Sequence, residues 1–367
     1  MTDISISRLE ASQFTNGELS FSALAGDNPF LSEVWQKIWI RHYVSAVEDN
    51  LFLFKVVSPQ SACTIFPCYR SIVTRGGLFR TSSLQFIGSD WFGDSAMLSE
   101  YLGPVSETVQ TTHYVSWLDK ILTEKDFGEL VLSFTADREL VDCAIACAEK
   151  KGVFYRVFEH SPAYQVDLRN GFDDYLHSLS ANSRRKVYGQ RNKLLAAGSL
   201  RIERYGNDDA SECLSILSEL HERRWGRRVF SEDWIRFHET LARSWDGAGS
   251  TSFSVLRLDD APVSILYDIK FGKKVFNLQM GFDPSALDAA SLGLLHLGYE
   301  IEHAASEGFE IFDLLAGSGM KTDYKRAISN AQTAMWTVQM VPNDTLASLY
   351  RVRNKLRSLF QRPAAGG

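Results

Sequence analysis

The chain has 367 residues, 45% of them hydrophobic and 12% aromatic, which is enough for two domains of ordinary size with packed cores. Its formal net charge of -6 argues against a global nucleic-acid-binding surface, because domains that bind nucleic acid are usually basic. No window approaches the ~20 apolar residues of a membrane span, and the opening MTDISISRLEASQF lacks the apolar core of a secretory signal. We therefore expect a soluble, cytoplasmic protein with no integral membrane segment.

Cysteine usage fits a reducing compartment. The five cysteines are an odd number without the spacing of a disulfide framework. No set of Cys and His residues has metal-ligand spacing. We therefore predict buried, reduced thiols and no metal site.

The first part of the chain alternates helices and strands, which predicts a mixed α/β arrangement. Asn28-Pro29 precedes LSEVWQKIWIRHY, whose apolar residues recur at helical spacing. The other predicted elements are strand 51–57, strand 63–69, helix 111–122, strand 129–134, helix 137–152 and strand 154–159.

A second block starts near Tyr164 and repeats this plan. Its predicted elements are strand 164–168, helix 172–179, a long basic helix 183–197, strand 200–205, and helices 210–225 and 231–244. Gly198 would end the basic helix, and Ser231 would cap the last of these helices.

The most informative stretch runs from residue 261 to 326. Two apolar runs, 263–269 and 274–280, flank Phe271-Gly272-Lys273 and predict a hairpin. We expect a helix that is capped by Ser291 and closes near Gly308, followed by strand 309–315. This order places a helix N-terminus at a sheet edge, where free N–H groups suit an anion or a carbonyl oxygen. The run AMWTVQMV predicts a last strand, and 346–360 a basic helix.

The shared plan indicates a diverged structural duplication, in which the second block echoes the first. We predict a degenerate N-terminal domain over 1–160, a C-terminal domain over 161–342, and a basic helix and tail over 343–367. No low-complexity linker separates the blocks, so we expect them to pack rigidly with a cleft between them.

Several ordered motifs carry a family resemblance. They are SANSRRKVYGQRNKLLAAGSLRIERY, LHERRW, YDIKFGKKVFNLQMGFDP, SLGLL, GFEIFDLLAG and DYKR. The chain resembles the Acetyltransf_6 group of the GNAT superfamily, also called BioF2-like or CelD-like acetyltransferases, which is similar to the Fem-type peptidyl transferases. The resemblance is strong over 165–330 and looser over 28–160. It implies an α/β (α+β) fold with tandem GNAT-like, Fem-like domains and mixed central sheets.

The resemblance also implies an N-acyltransferase without a permanently bound cofactor. The donor would be a thioester, acyl-CoA or an acyl carrier protein, and the acceptor an amine or hydroxyl of a small molecule or glycan precursor. The process would be polysaccharide, exopolymer or cell-envelope biosynthesis. In place of the superfamily's glycine-rich pyrophosphate loop, this sequence has only Ala289-Ala290-Ser291-Leu292-Gly293. The resemblance therefore does not fix acyl-CoA as the donor.

Two alternatives stay open. One is a Fem-type transfer that depends on aminoacyl-tRNA, and the other is a non-catalytic partner in polysaccharide assembly. The sequence does not fix an oligomeric state.

Four residues are catalytic candidates. Asp313 lies in the apolar run EIFDLL, so it is either a structural hydrogen-bonding group or a site group that acts as a base or orients Lys325. Lys325 and Tyr324 could stabilise the oxyanion of acyl transfer, unless they are surface residues. Asp268 would form a cleft wall or a satisfied polar contact.

The remaining candidates would bind the donor or the acceptor. Arg184 and Arg185 are anion anchors or part of a solvated face. The predicted helix start contributes Ser291, Leu292 and Gly293 to donor binding. The acceptor candidates are Tyr267, Asp283, whose capping role is favoured, and Trp225, which we expect to pack in the core.

Overall fold

The computed structural model describes residues 4–17, 26–59, 62–89, 99–106, 110–192, 199–245, 247, 249–286, 289–316 and 323–360. Strands within these ranges are β1 Ser5–Leu9, β2 Leu51–Val57, β3 Cys63–Arg75, β4 Phe79–Phe86, β5 Val105–Ser106, β6 Glu129–Thr135, β7 Phe154–Glu159, β8 Ala163–Asp167, β9 Leu200–Tyr205, β10 Gly249–Leu258, β11 Ala261–Phe271, β12 Lys274–Phe282, β13 Ile311–Asp313, β14 Ala331–Thr333 and β15 Trp336–Val341. The α-helices are Ala11–Thr15, Glu33–Tyr43, Val47–Asn50, Thr111–Glu124, Arg138–Lys151, Phe172–Ser178, Ala181–Arg184, Ala210–Trp225, Glu232–Ser244, Ala289–Ser306, Asp323–Ile328 and Asp344–Phe360.

These strands form two mixed sheets. The first sheet has the order β1-β2-β3-β4-β6-β15-β7, with β5 paired to β3, and the second has the order β14-β8-β13-β12-β11-β10-β9. Each sheet contains one parallel pair, β4 with β6 and β12 with β13. A helix lies between the parallel strands in the sequence of each half: Thr111–Glu124 in the first and Ala289–Ser306, here called the central helix, in the second. The predicted α/β fold class with mixed sheets is confirmed.

Strand β15 joins the two parts of the chain. It follows all strands of the second sheet in sequence, yet it lies in the first sheet between β6 and β7. Its Val338 and Met340 side chains are fully buried in the main core. Sheet membership therefore crosses the predicted boundary between 160 and 161, and the domain division itself stays a prediction.

The main hydrophobic core also continues from one half to the other. The Phe30 ring meets the Phe276 ring edge-on at 6.1 Å, and the Trp35 ring meets the Phe237 ring at 5.2 Å. Aromatic pairs of this geometry stabilise beyond their buried area. The two halves are thus packed against each other.

In its described part, the predicted long basic helix over 183–197 is helical, but its regular α geometry is interrupted. An α-helical turn at Ala181–Arg184 is followed by a π-helical turn at Arg185–Gly189, closed by a bond from Gln190 N–H to the Arg185 carbonyl at 3.0 Å. Residues 193–198 lie outside the described residues. The wider turn brings the Val187 carbonyl against the central helix at Gly298, where a Cβ would stand 1.9 Å from that oxygen. Backbone contact with the central helix accompanies the departure from regular α geometry.

The predicted hairpin is confirmed as β11 and β12, joined at Gly272 with a φ of 57°. The central helix begins at Ala289, so Ser291 lies within its first turn and is not its N-cap. All five cysteines are free, with Cys63 partly exposed and the other four buried. Among the described residues, no helix has both the length and the apolar character needed to cross a membrane.

Candidate functional site

Asp313 ends β13 in the middle of the second sheet, between β8 and β12. Its side chain is 1% exposed, and burial raises the pKa of the carboxyl. Three hydrogen bonds lower this pKa in part. The carboxylate accepts them from Tyr101 Oη at 2.6 Å, Gln165 Nε2 at 2.7 Å and the Leu315 N–H at 2.8 Å. Because donors already occupy both oxygens, the geometry favours a group that orients its neighbours over a general base.

Lys325 lies beside this carboxylate. Its Nζ donates to the carbonyls of Leu314 at 2.7 Å and Leu315 at 3.1 Å, directly after β13. Burial lowers the pKa of Lys325, while the negative charges of Glu100 and Asp313 raise it. An ammonium group carries three protons, so one remains for a ligand.

Two members of this site come from the first half of the chain and were missed in the sequence. Glu100 is 3% exposed, and its Oε2 accepts from the Ala316 N–H at 2.7 Å. Tyr101 has a φ of 56°, and its carbonyl accepts from Asn28 Nδ2 at 2.8 Å. Their only signal in the sequence is a charged residue and a tyrosine within the short segment LSEYLGP. We call Glu100, Tyr101, Gln165, Asp313 and Lys325 the polar cluster.

The second sheet opens next to this cluster. Strand β13 pairs with β12 only from Lys274 to Phe276, whereas β12 continues to Phe282. The pairing of β12 with β11 also shifts register between Tyr267 and Asp268, which marks a bulge in the edge of this opening. We call the space between β12 and the chain after Asp313 the strand gap.

Phe282, at the end of β12, connects the central helix with the Tyr324–Lys325 segment. The Phe282 ring lies beside Gly293 in the first turns of the helix, 3.2 Å from where a Cβ would stand. The Arg224 guanidinium lies 4.3 Å from the centre of the Phe282 ring, and its positive charge interacts electrostatically with Tyr324. Burial raises the pKa of Tyr324, and Arg224 partly offsets this. Phe282 and Arg224 thus link the first turns of the central helix to Tyr324, and the site formed by these two elements stays a prediction.

The two cationic candidates, Arg184 and Arg185, differ in how far they are buried. The Ala181–Arg184 helix contacts the Asp323–Ile328 helix, which carries Lys325. Arg184 donates from Nη2 to the Leu179 carbonyl at 3.3 Å, and its buried Nε has no hydrogen-bond partner. Arg185 is exposed and donates to Asn182 Oδ1 at 3.1 Å. Of these two arginines, Arg184 is the one with a buried polar atom.

Of the predicted helix-start residues, Leu292 is 1% exposed and packs in an apolar cluster with Leu295. Gly293 lies over the end of β12, against Met280 and Phe282. The side chain of Ser291 lies outside the described residues. A donor contact at this turn therefore depends on backbone groups.

Tyr267 and Asp268 lie on opposite faces of β11, and both are buried away from the polar cluster. The Tyr267 ring is 0% exposed, stacks on Phe253 at 4.6 Å and makes a 2.7 Å hydrogen bond with His238 Nδ1. Asp268 is 4% exposed and accepts from Asn277 Nδ2 at 2.7 Å. These contacts are all within the fold, and the substrate contact and catalytic role predicted for this pair stay predictions.

Asp268 nevertheless makes folding dependent on pH. Burial raises the pKa of its carboxyl to about 8, so it is protonated in the folded protein at neutral pH. The stability that comes from the protonated Asp268 carboxyl is complete below the ordinary pKa of an aspartate, and it is lost as the pH rises from there toward 8. We expect Asp268→Asn, which is neutral at every pH, to remove this loss. Between pH 6 and 8, the wild type should lose about 1–3 kcal/mol more unfolding free energy than the variant, measured by urea denaturation. Parallel pH dependences of the two proteins would show that Asp268 is ionised in the fold.

The last two candidates lie at the outer end of β12. Asp283 accepts from the Ser285 N–H at 2.8 Å and pairs with Arg223 at 3.2 Å, and the hydrogen bonds from Ser285 lower its pKa. The favoured capping role of Asp283 therefore has a structural basis. The prediction that Trp225 packs in the core is wrong, because its ring is 43% exposed. It is the last residue of its helix, and the chain turns away at Gly226 with a φ of 65°.

Comparisons with known proteins agree on the fold. Residues 181–326 match the sequence profile of the acetyltransferase (GNAT) domain family. The structure is similar to that of FemX, with a TM-score of 0.58 and 9% identity over 94% of this chain and 99% of that one. It is also similar to the C-terminal DUF2156 domain of a putative lysylphosphatidylglycerol synthetase from Agrobacterium fabrum, with a TM-score of 0.54 and 12% identity over 94% and 96% of the two chains. A conserved protein of unknown function from Bacteroides thetaiotaomicron has a TM-score of 0.54 and 10% identity over 92% and 100%. A search of curated proteins found no significant match.

Proposed function

Since residues 181–326 belong to the acetyltransferase (GNAT) domain family, the chain is a GNAT-type acyltransferase, and we propose that it moves an acyl group from a thioester to an amine or hydroxyl. One observation carries the proposal: Lys325 is held by two backbone carbonyls beside the strand gap, with a third N–H free of these bonds. A preorganised cationic donor beside a partly buried opening suits the oxyanion of acyl transfer.

The reaction needs no enzyme nucleophile. A positioned acceptor attacks the thioester carbonyl, the new C–N or C–O bond forms, and the C–S bond breaks. The acceptor proton ends on the released thiol. In this scheme Lys325 donates to the tetrahedral oxyanion, and Tyr324 protonates the leaving sulfur. Asp313 and Tyr101 hold the turn at Leu315 on which Lys325 depends.

The connection from β12 to the central helix supports a donor other than free acyl-CoA. It contains no glycine from Asp283 to Leu292, and it carries two aspartates, Asp283 and Asp288, where a pyrophosphate would need positive charge. We therefore favour an acyl carrier protein over acyl-CoA. The acceptor in this proposal is an amino- or hydroxyl-bearing precursor of polysaccharide, exopolymer or cell-envelope material, and the reaction is cytoplasmic.

Mass spectrometry of incubations with defined donors tests this function. The purified protein receives pools of acyl-CoA, acyl carrier protein and aminoacyl-tRNA, each with amine and hydroxyl acceptors. We expect an acylated product from a thioester arm, with turnover that is insensitive to ribonuclease. Product only from the tRNA arm, with ribonuclease sensitivity and steep salt dependence, would assign the Fem-type reaction instead. If no arm yields product while an acceptor binds, the chain is a non-catalytic binding protein.

A further inference from the structure

The Asp344–Phe360 helix, here called the last helix, is only partly seated on the protein. Leu346, Ala347 and Tyr350 are buried, and the Tyr350 ring stacks on Phe154 of β7 at 5.8 Å. Residues 351–355 are all exposed. The packing that holds this helix thus comes from its first two turns, and its next turn faces away from the core.

The part of the last helix that follows Tyr350 is amphipathic and basic. Leu349 is 41% exposed and Val352 is 56% exposed. In the sequence, apolar residues recur at 349, 352, 356 and 359, a spacing typical of one face of an amphipathic helix. Arg351, Arg353, Lys355 and Arg357 alternate with them, and no acidic residue follows Asp344.

Strand β7, at the edge of the first sheet, extends this surface. Val157 on that strand is 41% exposed. The Arg156 guanidinium lies 4.1 Å from the centre of the Tyr350 ring, and the Arg351 guanidinium lies 5.6 Å from that of Phe154. Burial and the nearby Arg353 charge both lower the pKa of Arg156. Exposed apolar side chains and several cations therefore share one side of the molecule.

The charge distribution points to the partner. Residues 344–367 contain five cationic residues and one acidic residue, a net charge of +4, although the whole chain carries -6. The remaining residues thus carry -10, and this acidic body is repelled by an anionic surface. The basic last-helix side suits such a surface. The four cations that flank the apolar stripe also repel a second copy of the same helix.

We propose that the last helix, with Val157 of β7 beside it, binds an anionic lipid bilayer surface. A basic helix with an apolar stripe lies in the interface plane, with its apolar side chains below the headgroups and its cations among them. Binding of this kind needs no spanning segment. It would hold the rest of the chain at the membrane surface.

Co-sedimentation of the full chain with vesicles tests the proposal. We expect binding to phosphatidylcholine vesicles that contain phosphatidylglycerol, weak binding to phosphatidylcholine alone, and loss of binding at high salt. The variant Arg351→Gln/Arg353→Gln/Lys355→Gln should bind the anionic vesicles at least about tenfold more weakly. Val352→Asn, which replaces the apolar side chain at unchanged helix charge, should weaken binding to a similar degree.

The matched control removes three exposed cations elsewhere on the surface: Arg201→Gln/Arg236→Gln/Arg243→Gln. It has the same net charge as the triple last-helix variant and should bind like the wild type. Equal loss in both triple variants would mean that net charge alone acts, and it would overturn the site. The proposal is also overturned if the wild-type chain does not bind anionic vesicles. Light scattering then identifies the occupant, because a dimer that Val352→Asn abolishes would assign the surface to a second copy.

Discussion

Replacing Lys325 by alanine should lower the turnover number about 100-fold while the protein stays folded, as expected when one oxyanion donor is removed. The reason lies in the placement of Nζ, which the Leu314 and Leu315 carbonyls fix at the strand gap. Since this contact serves the transition state more than the bound substrate, kcat should fall and KM should change little. Initial rates over a range of donor concentration, on protein with the wild-type circular dichroism spectrum, give the result.

The same short helix supplies the control. Arg326 follows Lys325 directly, is exposed, and has the same charge. Arg326→Ala should keep wild-type turnover. Loss of activity in both variants would implicate net charge at the opening, and full activity in Lys325→Ala would remove Lys325 from the mechanism. A moderate stability loss in Lys325→Ala is expected, because two carbonyls lose a donor.

The alternation of apolar residues was sufficient to predict much of the second sheet. The hairpin over 263–280 extends in the structure to Ala261–Phe271 and Lys274–Phe282, because strand pairing continues past the strongly apolar residues. The position of Asp313 at a strand end was also predictable, since one carboxylate stands in the run EIFDLL. Local pattern carries information of this kind because strand and helix periods are properties of neighbouring residues.

The composition of the polar cluster was not predictable, because it depends on contacts between distant residues. Tyr101 and Asp313 are 212 positions apart and meet through a 2.6 Å hydrogen bond. Placing Tyr101 requires a left-handed backbone at that residue, which nothing in its identity indicates. The placement of β15 in the first sheet has the same origin, since its partners β6 and β7 are chosen by packing and not by proximity in sequence.

The other wrong predictions concern residues at helix ends. His221 and Trp225 are one turn apart, and helical spacing places both on the buried stripe. The helix ends at Trp225, so the last side chain has no sheet beneath it and remains exposed. The predicted N-cap at Ser291 failed similarly, because the helix starts two residues earlier. Helix boundaries depend on tertiary packing as much as on the capping residue.

Asp313→Asn should cost about 3 kcal/mol or more of unfolding free energy, the largest stability loss among the site variants. The carboxylate accepts from donors on both oxygens, so the nitrogen of an amide would face a donor in either orientation: Tyr101 and Gln165 in one, the Leu315 N–H in the other. Chemical denaturation at neutral pH measures this loss. The result also decides between the two roles of Asp313, if turnover is measured well below the midpoint of unfolding.

As a residue that positions Tyr101 and the Leu315 turn, Asp313 should be coupled to Tyr101. Tyr101→Phe removes the shared hydrogen bond from the other side, so the double variant with Asp313→Asn should lose less activity than the two single losses combined. A general base would behave differently. Asp313→Asn would then abolish turnover, while Tyr101→Phe would retain most of it. We expect the coupled result, because both oxygens of Asp313 already accept hydrogen bonds from the fold.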